Sequence, residues 1–242
     1  MADHPEPADD WDETVDVLCV GAGPGALAYG ILCAASDLEV LIVESGRLDA
    51  QTEQWRADMT EDLVGGAADP DLALIHAEPV TVQKANDRTR LEPFVGEHLR
   101  QWSAGCLASP FGLVTSHVPD LDIMRTADGQ TITAGIVGSW RCNDEAPGRA
   151  LADWLRERAE GLLGPADDRL DGLVVEDGRI AGAVLDTADG ARRIGVTHGL
   201  ALALGAAPDL WPEQAELHGR SVDVAVVSRP AGRFATIGLL AR

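Results

Sequence analysis

Three small residues in the first part of the chain have the spacing of a dinucleotide-binding turn. Gly21, Gly23 and Ala26 follow the pattern G-x-G-x-x-A and come directly after the strand-like run Val15–Val20. In this pattern the first glycine permits a tight turn, the second lets the backbone approach a pyrophosphate, and the third small residue lets helix and strand pack closely. Amide groups at the helix start favour an anion. The turn therefore predicts a nucleotide cofactor bound by Gly21, Gly23, Pro24, Gly25 and Ala26.

An acidic residue stands where such a site needs one. A second apolar run, Val40–Val43, leads into Glu44, which lies 44 − 26 = 18 positions after Ala26. A carboxylate at this distance accepts hydrogen bonds from ribose hydroxyls. The alternative is a glycine-rich turn in some other α/β fold. Strand, glycines, helix, strand and acid in this order favour the dinucleotide interpretation.

The elements that must hold this turn in place return late in the chain. Residues 150–163 have one apolar side at helical spacing. Three strand-like runs follow over residues 170–196, separated by turns at Asp177-Gly178 and Asp189-Gly190, and Asp-Gly between such runs is a strong hairpin signal. The meander leads into a further apolar strand over residues 199–205. We expect an α/β fold: a Rossmann-like domain with a three-stranded β-meander.

The middle of the chain has mixed elements and few chemical signals. A helix that includes His98 and Trp102 is expected to start at Glu92-Pro93 and to be broken by Ser109-Pro110-Phe111-Gly112. A strand pair is expected at Ile123–Thr126 and Thr131–Val137. A hairpin is expected later at Val222–Val227 and Phe234–Leu240. The predicted organisation is an acidic arm over 1–14, a discontinuous dinucleotide-binding domain over 15–46 plus 147–205, an inserted α+β cap over 47–146, and a hairpin segment over 206–242.

Composition limits the class of partner. Forty acidic and nineteen basic residues give a formal charge of −21, which repels nucleic acid and anionic lipid. The acidity favours solubility in a high-salt or acid-biased proteome over a site for a basic partner. No apolar run approaches the roughly 20 residues that span a bilayer, and the start lacks the order of a signal peptide. We therefore expect a cytoplasmic protein without a membrane span.

Cysteine and histidine spacing predicts neither a metal site nor a redox dithiol. The four cysteines form no C-x-x-C pair, and the six histidines are scattered singly. Single residues of these types are more often structural than functional. The cysteines are Cys19, Cys33, Cys106 and Cys142.

The order of these parts resembles the FAD-dependent family that includes the fumarate reductase and succinate dehydrogenase flavoproteins and the 3-ketosteroid dehydrogenases. VGAGPGALA and LIVE, over residues 20–28 and 41–44, are similar to the family's FAD-binding start. GRALADWLRERAEGLL and LVVEDGRIAGAVL, over 148–163 and 173–185, are similar to its helix and meander. GLALALG, over 199–205, stands in the place of a strand that ends in Ala-Thr-Gly. About 100 of the 242 positions are covered.

The resemblance implies FAD as the cofactor. The glycine turn is then expected to approach the pyrophosphate and Glu44 the adenosine ribose, while Ala203 and Gly205 lie near the dinucleotide. Ser45 begins the segment in the place of the family's flavin-wrapping loop and is included among the predicted cofactor-binding residues. FAD is favoured over NAD because a meander that returns to a further strand is typical of the flavin branch. Glu44 repels a 2′-phosphate and so argues against NADP.

The chain also departs from the family pattern. The segment after Ser45 is acidic instead of rich in Gly, Ser and Thr, and a long second half that carries catalytic groups in the family has no counterpart before Arg242. Ketosteroid dehydrogenation relies on several tyrosines, whereas Tyr29 is the only tyrosine here. Catalytic residues are therefore left unassigned. The candidates for a proton donor or base are His98, His117, Arg125 and Arg141.

Two functions of different classes follow from the sequence. The first is an FAD-binding oxidoreductase that acts on a small apolar or carbonyl-bearing substrate, with part of the site supplied by a partner chain or a second copy. The second is a non-catalytic subunit that retains a degenerate FAD-binding fold and serves in the assembly of a complex. Both functions predict a homo- or hetero-oligomer. A weaker alternative is an NAD(P)-binding module.

Overall fold

The structure is a computed structural model that describes residues 11–21, 23–43, 74–80, 96–116, 121–143, 147–203, 217–230 and 232–241. Three α-helices and twelve strands lie within these ranges. The helices are α1 (Pro24–Ala34), α2 (Glu97–Ala108) and α3 (Pro147–Arg158). The first strands are β1 (Glu13–Val20), β2 (Val40–Val43), β3 (Leu74–Ile75), β4 (Ala77–Pro79), β5 (Leu113–Thr115) and β6 (Asp122–Thr126). The others are β7 (Thr131–Arg141), β8 (Arg169–Glu176), β9 (Arg179–Thr187), β10 (Gly190–Ala203), β11 (Ser221–Ser228) and β12 (Phe234–Ala241).

The predicted β-α-β unit is present at the start of the described chain. Strand β1 lies parallel to β2, with Val17 opposite Val40 and Val20 opposite Val43. Helix α1 connects them and begins with Pro24, whose missing N–H costs nothing in the first turn of a helix. Most of α1 is buried, as its run of small and apolar residues predicts. The α/β prediction with a parallel strand pair around a helix is confirmed.

The predicted meander is also present, with one difference. Strands β8, β9 and β10 pair antiparallel in sequence order. The third meander strand and the apolar strand predicted over 199–205 are one continuous strand, β10, which pairs with β9 through its first half and lies parallel to β1 from Ile194 to Leu202. The other side of β10 is shared between two strands: β9 pairs with it up to Gly195, and β5 pairs with it from Ala201.

Strands from all parts of the chain join one sheet. Its main path runs β2-β1-β10-β5-β12-β11-β7-β6-β4, and most of the pairs are antiparallel. Strands β5 and β7, from the segment predicted as an inserted cap, pair with β10 and β11 in this sheet. In the described part of the chain, segments predicted as cap and as dinucleotide-binding domain contribute strands to the same sheet. The division into domains stays a prediction.

Smaller elements follow the sequence prediction closely. The strand pair β6–β7 and the hairpin β11–β12 are confirmed. Helix α2 begins at Glu97 within the described residues and ends at Ala108, directly before the break predicted at Ser109. Helix α3 ends at Arg158 and is followed by a short 3₁₀ turn, so the predicted helix to Leu163 ends one turn early.

The two faces of β1 pack against different layers. Val17 and Cys19 lie in one hydrophobic cluster with Tyr29 of α1. Leu18 and Val20 lie in another with Leu185 of the meander. Successive side chains of a strand point to opposite faces, so β1 is buried between helix and meander. Among the described residues, no helix is long and apolar enough to cross a bilayer.

Candidate functional site

Gly21 and Ala203 bring the glycine turn and the end of β10 together. Gly21 has a φ of +92°, a conformation that residues with a side chain rarely adopt. Its N–H donates a hydrogen bond to the carbonyl oxygen of Val43 at 3.1 Å. A Cβ added to Gly21 would lie 3.1 Å from the Cβ of Ala203 and 3.4 Å from its carbonyl oxygen. Glycine is therefore required here for both its backbone conformation and the space it leaves.

Helix α1 begins with amide donors that have no hydrogen-bond partner among the described residues. Gly23 is the N-cap and makes no side-chain capping hydrogen bond, and its carbonyl accepts the first helical bond from the N–H of Leu27 at 3.2 Å. Within the described ranges, no hydrogen bond uses the N–H groups of Gly23, Gly25 or Ala26. Gly25 and Ala26 are buried. Buried donors at the positive end of a helix dipole are suited to an anion such as a pyrophosphate.

Gly23, unlike Gly21, has a backbone conformation that does not require glycine. Its φ of −65° and ψ of 156° lie in the extended region that residues with side chains adopt freely. The backbone conformation therefore does not explain a glycine at this position. A ligand that must come close to the backbone would explain it, which is the role that the motif assigns to its second glycine.

A turn from the middle of the chain lies directly against the start of α1. A Cβ added to Gly25 would lie 2.6 Å from the carbonyl oxygen of Phe111 and 3.2 Å from that of Gly112. The segment is held by Ser109, whose hydroxyl accepts the N–H of Phe111 at 3.1 Å and whose carbonyl accepts the N–H of Gly112 at 3.0 Å. We call this segment, residues 109–112, the Ser109 turn. It fills the space beside Gly25.

The Ser109 turn is the feature that sequence reasoning missed. Ser109-Pro110-Phe111-Gly112 signals the end of a helix, and α2 does end there. The residue in the sequence that could have indicated close packing is Gly112. In the structure, a Cβ at this position would lie 1.6 Å from the carbonyl oxygen of Cys106. A glycine after a helix has several uses, and nothing local connects Gly112 with Gly25, 87 residues earlier in the chain.

Ionisable groups behind the glycine turn are held in their neutral forms. The Tyr29 hydroxyl is 3.1 Å from the Oγ1 of Thr115, and burial raises its pKa well above the ordinary value. Burial likewise raises the pKa of the Cys33 thiol to about 11 and that of Cys106 to about 12. A group that stays protonated at neutral pH cannot serve there as a general base. Tyr29 therefore acts as a core residue.

The other predicted site residues lie apart or outside the described ranges. Glu44, Ser45, Gly205 and the candidate His117 lie outside the described residues. His98 on α2, Arg125 on β6 and Arg141 on β7 are exposed, and no described hydrogen bond or ion pair joins any two of them. No group of three or more His, Cys, Asp or Glu side chains in the described part of the chain could hold a metal ion. The described residues therefore form the predicted glycine turn at the end of β1 and assign no catalytic residue.

Comparison with known proteins finds distant structural similarity. No protein-family model and no curated protein matches the sequence. An open-conformation flavocytochrome c3 fumarate reductase is 17% identical, with a TM-score of 0.35 over 78% of this chain and 33% of that one. The 3-ketosteroid-Δ4-(5α)-dehydrogenase from Rhodococcus jostii RHA1, in complex with 4-androstene-3,17-dione, is 21% identical, with a TM-score of 0.38 over 81% and 46%. The chain thus spans about a third to a half of the length of the solved structures it is similar to.

Proposed function

We propose that this chain binds FAD through its glycine turn and acts as a flavin-dependent oxidoreductase on a small apolar or carbonyl-bearing substrate. The observation that carries the proposal is the start of α1. Three amide groups without a described partner, at Gly23, Gly25 and Ala26, lie at the end of β1 in a parallel strand pair. This is the arrangement in which a β-α-β unit receives a dinucleotide.

The residues present fit the cofactor. The amides of the first helical turn would hold the pyrophosphate, and Gly23 leaves room for it to approach the backbone. Gly21 and Ala203 keep the ends of β1 and β10 close together by virtue of their size. Glu44 is proposed for the ribose hydroxyls, on its spacing in the sequence. When bound, the flavin supplies the hydride chemistry, and the protein binds and orients it.

The cofactor proposed is FAD and not NAD because of the meander. Strands β8 and β9 deliver the chain into β10, which lies beside β1. This connection matches the order that the family resemblance implies for the flavin branch. The remainder of the active site is proposed to come from a partner chain or a second copy, since the described candidates for a proton donor lie apart.

One observation favours a second function, that of a non-catalytic subunit. The Ser109 turn lies so close to Gly25 that a single added methyl group would meet the carbonyl oxygen of Phe111 at 2.6 Å. The protein's own backbone therefore occupies one flank of the first helical turn. A subunit that keeps the fold for assembly alone would tolerate the Ser109 turn in this position. A dinucleotide would have to bind on the flank of the first helical turn that the Ser109 turn does not occupy.

An absorbance spectrum of the purified protein separates the two functions. Bound oxidised flavin gives a band near about 450 nm, and we expect this band in the protein as purified or after incubation with FAD and removal of the excess. A folded protein that stays colourless after incubation contradicts the FAD proposal. A colourless protein that co-purifies in equal amounts with a larger partner supports the subunit function instead.

A further inference from the structure

Strand β8 is a long edge strand of the sheet that the described residues form. It has eight residues, and within the described ranges it pairs only with β9. The two ends of the main sheet path are much shorter, because β2 has four residues and β4 has three, one of them Pro79. Short edge strands and edge prolines are common protections against strand addition. Strand β8 is neither short nor interrupted by proline, but it includes Asp171, and its pairing with β9 has two register shifts, between Leu170 and Gly172 and between Val174 and Val175.

The same strand exposes apolar side chains. Leu173 is 40% exposed and Val175 is 59% exposed, and these are two of the three large hydrophobic residues exposed among those described. The third, Ile136, lies on β7 between β11 and β6. Apolar side chains beside unpaired backbone groups favour pairing with a further strand.

The charges at the two ends of β8 indicate which kind of strand can pair with it. Strand β8 begins at Arg169 and ends at Glu176. When two copies of such a strand pair antiparallel, the basic start of each lies beside the acidic end of the other. Parallel pairing would instead bring like charges together. A second copy therefore complements β8 at both ends, with the exposed Leu173 and Val175 and the carboxylate of Asp171 between the two charged ends.

We propose that β8 pairs antiparallel with β8 of a second copy, so that the protein forms a two-fold symmetric dimer. Its contact is isologous: the same strand contributes from each copy, and the two sheets become one continuous sheet. Arg169 then lies near Glu176 of the partner subunit, and this contact occurs twice. The proposal does not depend on FAD binding.

Paired charge reversals test this arrangement. We expect the wild-type protein to be dimeric by sedimentation equilibrium at about 0.15 M salt, where the Debye length of about 8 Å weakens repulsion between two chains of net charge −21. Arg169→Glu and Glu176→Arg should each raise the dimer dissociation constant about tenfold, because each brings like charges together twice. An equimolar mixture of the two variants should regain the wild-type constant, since the heterodimer restores opposite charges at both contacts.

An apolar pair of variants provides the matched control. Leu173→Lys should weaken the dimer by at least about tenfold, whereas Ile136→Lys, at a residue of similar exposure on β7, should leave it unchanged. Arg169 lies opposite Asp186, and Glu176 opposite Arg179, within the same chain, so the melting temperature of each variant is recorded alongside. A wild-type protein that is monomeric at about 100 μM overturns the proposal. So does a mixture of charge variants that fails to regain the dimer, or an Ile136→Lys variant that weakens it equally.

Discussion

Gly21 and Ala203 are in contact at the ends of two strands that are far apart in the sequence. A Cβ on Gly21 would lie 3.1 Å from the Cβ of Ala203, and β1 and β10 lie parallel up to this point. The glycine turn is therefore supported by the strand that the meander delivers. This contact makes the shape of the turn depend on the size of residue 203.

A larger side chain at residue 203 tests that dependence. We expect Ala203→Leu to lower the free energy of unfolding by about 1–3 kcal/mol, because the added atoms meet the backbone of the turn. The measurement is urea unfolding followed by tryptophan fluorescence. The matched control is Ala152→Leu, at a half-buried position on α3. Equal unfolding midpoints for Ala203→Leu and the wild-type protein would contradict the close contact.

Gly23→Val tests the proposed approach of the pyrophosphate. The backbone of Gly23 is extended, so its conformation accepts a valine, and we expect the melting temperature of the cofactor-free protein to change little. The dissociation constant for FAD should rise about ten- to a hundredfold, because the side chain keeps the phosphates from the amide donors. Binding is measured by titration calorimetry.

The control for Gly23→Val is a glycine with open space around it. An added Cβ on Gly105 of α2 meets nothing within 4 Å. Gly105→Ala should therefore bind FAD as the wild-type protein does. If Gly23→Val retains wild-type affinity for FAD, the pyrophosphate does not lie at this turn.

Leu185→Ala tests whether the meander is part of the core. Leu185 is fully buried in the cluster that contains Leu18 and Val20 of β1. Its truncation should lower the free energy of unfolding by about 2–5 kcal/mol, because it removes apolar contacts and leaves a cavity. Ile136→Ala, at a residue that is 51% exposed, should change it by less than about 0.5 kcal/mol. Chemical unfolding measures both, and similar effects at the two positions would show that the meander is loosely packed.

Asp16 lies in a hydrogen-bond network that joins β1, β10 and the residue before β2. Its carboxylate accepts a hydrogen bond from the Thr197 hydroxyl at 2.5 Å and another from the N–H of Glu39 at 2.9 Å, and it lies 3.1 Å from the Nδ1 of His198. These contacts lower the pKa of Asp16 below its ordinary value, the Thr197 hydrogen bond most strongly. The network ties β10 and the start of β2 to β1 where the β1–β10 register shifts.

The sign of the pH effect follows from the lowered pKa. A carboxylate with a lower pKa in the folded state stabilises the fold above its unfolded pKa of roughly 3.9, and this stabilisation is lost as the pH falls through the folded value. Asp16→Asn should therefore lower the melting temperature at pH 7, and the difference from the wild-type protein should shrink below about pH 4. The control is Asp153→Asn, at an exposed residue of α3 without a described hydrogen bond or ion pair. A difference that stays constant from pH 7 to pH 3 would exclude this role.

The sequence by itself determined the elements whose signals are local. The strand-glycine-helix pattern at Gly21–Ala26, the Asp-Gly turns of the meander and the hairpin around Arg229-Pro230 were all predicted from neighbouring residues and are present. Turn chemistry and side-chain periodicity act over a few residues, so these elements can be read without knowledge of the rest of the chain.

Only the tertiary structure decided which of these elements meet. The pairing of β5 with β10, the contact of Ala203 with Gly21 and the position of Phe111 against Gly25 join residues far apart in the chain. No local pattern encodes such contacts, because they depend on how strands order themselves in a sheet and on which small residues leave room for a neighbouring backbone. The glycine turn was therefore evident in the sequence, while the Ser109 turn that fills one side of it became evident only in the folded chain.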